Sequence, residues 1–243
     1  RGLRKRVRRL VMPNVAALTA CRTRNNCRAG YMWKNTRDNL LHYWESSTVA
    51  LLSQVMELPI QHMVTIVGAQ AQNMTLARFV RGVVDGEVEH PLLCSSARMR
   101  LKCSLQLHCL AHTEPLRETS SHLEWHAIEA YLTAELSGLS RERFVALFLD
   151  AQCKLLSSEV LFFGTIDSAV IYTRVVAIRA LANHAVSVVV AHNHPSGSLT
   201  PSRSDIDVTI KLAKSLQLLD IRLLDHLIVA GGRCASLRNL GFV

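Results

Sequence analysis

The 243-residue chain has no Cys-x-x-Cys pair, no acidic side chain before Asp38, and no run of about 18 consecutive apolar residues. The last absence excludes a single membrane-spanning helix: even the charge-free run Leu58–Ala77 is broken by Pro59, Gln61, His62, Gln70, Gln72 and Asn73. Seven Cys, an odd number without paired spacing, point to reduced thiols. The basic stretch Arg1–Val11 leads into no apolar export core, because Cys21–Arg28 is polar and positive. The expectation is a cytoplasmic protein with no membrane association. Charged residues make up only 19% of the chain against 49% hydrophobic, which argues against a mainly disordered polymer.

The formal charge is +9, and all of the excess lies in residues 1–120, which carry 17 basic and 8 acidic side chains against 11 of each in 121–243. Residues 1–30 hold nine Arg or Lys and no aromatic, and read as a basic arm. Such an arm could contact DNA phosphates without sequence preference, or could simply be solvated. Apolar clusters at helical spacing from Thr36 to Val84 predict two or three short helices, whereas Gly82–Arg117 shows no sustained period and reads as a linker. The first region, 1–120, is therefore expected to be basic, mainly helical and poorly defined. Nothing in the sequence specifies an oligomeric state.

From 121 to 243 the pattern sharpens. Ser121 with Glu124 opens a helix that Gly138 ends; Phe144–Leu149 and Lys154–Leu161 read as strands, Val175–Leu181 as a helix, and Ala185–Ala191 as a strand buried on both faces. A helix through Ile206, Ile210, Ala213 and Leu216 follows, then a strand Ile221–Ala230. The order α-β-β-α-β-α-β is a mixed-sheet α/β domain.

The third strand runs into His192-Asn193-His194-Pro195-Ser196-Gly197. Alternate residues of an extended chain share a face, so both imidazoles can address one point. A helix opening at Ser202 could return Asp205 to that point, and two His with one Asp leave a tetrahedral corner open. Glu159, the sole acid between Asp150 and Asp167, is the candidate base. The plainer alternative stays open: Ser202-x-x-Asp205 is also a capping box, and His-Pro-Ser-Gly a strand-to-helix turn. Cys103, His108, Cys109 and His112 lack the spacing of common zinc modules and read as unrelated side chains. In Asp225-His226 the two side chains face opposite ways, so one could support a metal ligand, although a structural pair is the simpler reading.

These residues resemble a family. His192–Gly197 with Pro201, Ser202 and Asp205, together with Phe144–Asp150, Leu161–Asp167 and Asp220–Val229, is similar to the RadC branch of the JAMM (MPN+) metallopeptidase-like proteins. The resemblance covers 121–243 and implies a three-layer, cytidine-deaminase-like JAMM fold. It implies His192, His194 and Asp205 as Zn2+ ligands, Glu159 as general acid/base and Ser202 on the oxyanion side. It also implies hydrolysis of a peptide or isopeptide substrate, with DNA repair or recombination as the alternative role. Thr173 and Val175 stand where the family usually has Pro and Glu. Residues 66–71 offer only Gly68 where the family has a Gly-x-Gly phosphate-binding turn, so no property of the first half is carried over.

Overall fold

The computed structural model describes residues 46–70, 74–118, 125–164 and 169–243. The basic arm 1–30 and its expected DNA contact lie outside the described residues. Between 46 and 118 the chain forms four helices: α1 (Ser46–Met56), α2 (Ile60–Gln70), α3 (Leu76–Asp85) and α4 (Ser95–Glu118). Gly68 is inside α2 rather than in a turn. Thr75 caps α3 by accepting the Arg78 N–H, and Gly86 ends it at φ 82°, a left-handed value that glycine adopts at little cost. Met56, Met63, Ile66, Phe79 and Val83 are fully buried together and give these helices a core of their own. No single helix among the described residues is long and apolar enough to cross a membrane.

The expected linker 82–117 is a correction, because most of it is α4, 24 residues long. Its apolar side chains serve two cores: Ala97 and Leu101 near its start join the α1–α3 cluster, whereas Leu116 near its end joins the cluster under the sheet. Met99, Leu107 and Leu110 are exposed, so the apolar residues form no single stripe and the period is hidden.

Next come α5 (Trp125–Leu136), β1 (Arg143–Leu149), β2 (Leu155–Phe163), α6 (Ala169–Ala182), β3 (Ser187–Asn193), α7 (Arg203–Gln217), β4 (Arg222–Ala230) and β5 (Arg233–Ser236). The strand order is β2-β1-β3-β4-β5, antiparallel except for β3 and β4, which are parallel and joined through α7. The mixed α/β architecture matches the sequence expectation, with β5 as an addition.

The sheet's alternation sets the layers. Val145, Leu147, Leu149, Val189 and Ala191 pack with Ile128, Leu132 and Leu136 of α5, while Phe144, Ala146, Phe148, Val188 and Val190 pack with Val176 and Ala180 of α6 and Leu212 and Leu216 of α7. All seven residues of β3 are consequently buried, as its β-branched run requires.

Two contacts tie α3 to the sheet domain. Arg81 Nη2 donates to the carbonyls of Ala134 (2.9 Å) and Glu135 (2.6 Å) in the last turn of α5. Gly138, at φ 77°, lies so close to α3 that a Cβ there would sit 2.2 Å from the Ala77 carbonyl oxygen.

Candidate metal centre

The carboxyl end of β3 and the first turn of α7 meet at one point, the usual ligand position of an open α/β sheet. His192 and His194, two apart at the end of β3, bring their Nε2 atoms to 2.8 Å of each other. Asp205, in the first turn of α7, brings Oδ1 to 3.3 Å from His192 Nε2 and Oδ2 to 3.5 Å from His194 Nε2. Tetrahedral donors about 2.0–2.1 Å from a zinc ion lie about 3.3 Å apart; the two histidine–carboxylate distances match this, and the nitrogens, at 2.8 Å, lie closer.

The other ring nitrogens decide what these atoms offer. His194 Nδ1 lies 2.9 Å from the Ser198 carbonyl oxygen, which only accepts, so Nδ1 carries a proton and Nε2 is the atom turned to the shared point. His192 Nδ1 lies 2.8 Å from His226 Nε2, in the buried interior. Burial is the main cause that pushes His192 down to about 4; Asp205 opposes it and His194 reinforces it. Burial likewise holds His226 well below the usual imidazole range. Both rings are neutral near pH 7, and neutral imidazole is the metal-binding form.

Asp205 is also a helix cap. Its Oδ2 accepts the Ser202 N–H (2.7 Å) and hydroxyl (2.6 Å), while Ser202 Oγ accepts the Asp205 N–H (3.2 Å). The two readings of Ser202-x-x-Asp205 are thus compatible: the capping box aims the carboxylate, leaving Oδ1 toward His192. Ser202 is exposed at the rim.

Glu159 is not brought to this cluster. It sits on β2 opposite Ala146, two residues further along β1 than Phe144, the partner of His192. Its carboxylate receives Arg179 Nε (2.6 Å) and Nη2 (2.7 Å) from α6 and Asn183 Nδ2 (2.9 Å) from the residue after it, and these bonds, with Arg179 dominant, hold it down at about 2. A carboxylate so stabilised is a poor proton acceptor at neutral pH, which weighs against the expectation that it is the base.

The acid that does feel the cluster is Glu142, immediately before β1. Burial raises its carboxyl above the usual range; nearby His194 opposes this and nearby Asp205 adds to it. Asn193, between the two histidines, fixes the backbone on either side of it: Oδ1 accepts the Arg143 N–H (2.8 Å) and Nδ2 donates to the Arg141 carbonyl (3.1 Å). Sequence spacing missed Glu142 because strand pairing, not proximity in the chain, brings it here. Asp225 serves structure instead, accepting from the backbone N–H groups of His226 and Arg238 and from Ser236 Oγ.

Among the described residues, His192, His194 and Asp205 are the group placed to hold a metal ion. His108 and His112 stack edge-to-face on α4, 4.7 Å between centroids, outside any such group.

A family model described as the RadC-like JAB domain matches residues 122–242. The chain is 39% identical over 174 residues to a UPF0758 protein of Ectopseudomonas mendocina, an alignment covering 69% of this chain and 78% of that protein. The chain belongs to the RadC-like JAB-domain family. UPF0758 proteins of Cupriavidus pinatubonensis and Pseudoalteromonas translucida are 50% and 48% identical over 115 and 118 residues, 47% and 49% of this chain. The chain spans 50% and 53% of those two relatives' length. The triad thus lies inside the JAB domain, on the strand and helix that the family match covers.

Proposed function

We propose that this RadC-like protein is a zinc-dependent hydrolase of amide bonds, acting on a peptide or isopeptide. The observation that carries the proposal is the convergence of two imidazole nitrogens and one carboxylate at the end of β3. Neutral nitrogens with one oxygen, in a tetrahedron with a corner to spare, suit zinc. A zinc ion held there would polarise a substrate carbonyl and acidify a water molecule to a pKa of about 7.

The chain's own residues divide the remaining work. Glu142, rather than Glu159, takes a proton at the open corner and returns it to the leaving amine; its raised pKa favours both transfers. Ser202 orients Asp205 through its N–H and its hydroxyl, and would reach the substrate's developing oxyanion only by turning that hydroxyl proton away from Oδ2.

Elemental analysis of the purified full chain should find zinc, and His192→Ala should lose it. With a panel of fluorogenic peptide and isopeptide amides, Glu142→Gln should lower kcat by about 10²–10⁴-fold while retaining zinc, and Glu159→Gln should leave kcat unchanged. A wild-type chain that takes up no zinc would overturn the reading.

A second reading rests on charge: the excess confined to residues 1–120 would deliver the JAB domain to DNA as a repair or recombination accessory.

A further inference from the structure

The His192–His226 contact continues. His226 Nδ1 lies 2.6 Å from Thr209 Oγ1, and Thr209 Oγ1 lies 2.6 Å from the carbonyl oxygen of Asp205. His192, His226, Thr209 and Asp205 are all buried. Each link has only one consistent direction. The Asp205 carbonyl cannot donate, so the single Thr209 hydroxyl proton goes to it. Thr209 Oγ1 must then accept from His226, which puts the His226 proton on Nδ1 and a lone pair on Nε2. His226 Nε2 must in turn accept from His192, which puts the His192 proton on Nδ1 and a lone pair on Nε2, the atom facing His194 and Asp205.

We propose that Thr209 and His226 are positioning residues that set the tautomer of His192 and lock two ligand-bearing elements, β3 and α7, into one register through β4. The chain of bonds begins at the backbone of one ligand, Asp205, and ends on the ring of another, His192. Phe144 supports it from β1, stacked 13° from parallel on His192 and edge-on to His226, with centroids 6.4 and 5.6 Å away. The role in metal binding rests on the zinc reading above; the tautomer does not.

The test has two readouts. In the metal-free full chain at neutral pH, long-range ¹H–¹⁵N correlation should show His192 and His226 both protonated at Nδ1. Thr209→Val, of nearly the same shape but without the acceptor, should weaken zinc binding about 10–100-fold in competition with a chromophoric chelator, and Thr209→Ser should restore it. A His192 protonated at Nε2 would overturn the relay, even in a chain that takes up no zinc. So would a folded Thr209→Val, judged by circular dichroism, that binds zinc as tightly as wild type. Failure of the wild type to bind zinc, with the expected tautomers present, would uphold the relay and remove the metal function.

Discussion

Glu142 and Glu159 are moved in opposite directions by their surroundings, and the difference is what singles out Glu142 in the proposed mechanism. Glu159 is held at about 2 by Arg179, Asn183 and Ser157. Its unfolded-state value is about 4.3, so its contribution to stability is complete above that pH and is lost as pH falls toward the folded value. Arg179 is half exposed, so the pair is weaker than its short bonds suggest. Arg179→Ala should lower stability near neutral pH, and the gap from wild type should close between about pH 4 and 2. Thermal melts across that range check it; a constant gap would assign the loss to packing. The two histidines and Asp205 were legible in the sequence because each rule involved is local: alternation along a strand, and a cap three residues ahead. Glu142 and Thr209 were not singled out, and His226 only as one of a pair with Asp225, since pairing across β1, β3, β4 and α7 brings them in; Arg179, twenty residues from Glu159, could not be foreseen as its partner.

At the level of elements, Gly138 shows how α3 is seated. Both its left-handed backbone and the absence of a Cβ are required, so Gly138→Ala should cost at least about 1–3 kcal/mol in denaturant unfolding of the full chain, by strain and by pushing α3 from α5. An unchanged midpoint would mean that α3 yields freely. The strands and helices after 121 were readable because each serves one core on each face. By contrast, α4 divides its apolar residues between two clusters, and β5 has only four residues. The sign of β5 was nevertheless present: Gly231 and Gly232, at φ 56° and 74°, form the two-residue turn pairing Ala230 with Arg233, and Gly-Gly after a strand signals a hairpin as much as an end.

For the whole molecule, composition supports a division of labour between a neutral JAB domain and a basic first half. If residues 1–30 supply the phosphate contacts, their deletion removes nine positive charges and should abolish binding to duplex DNA at low salt while leaving zinc content unchanged. Full-length chain should show log affinity falling linearly with log salt; undiminished binding by the truncated chain would dismiss the arm.

The carboxylate of Asp205 is fastened by the same two bonds that begin α7. A cation bound there would find its third partner already waiting and need not freeze a wandering side chain, and stripping it away would leave the helix origin where it was.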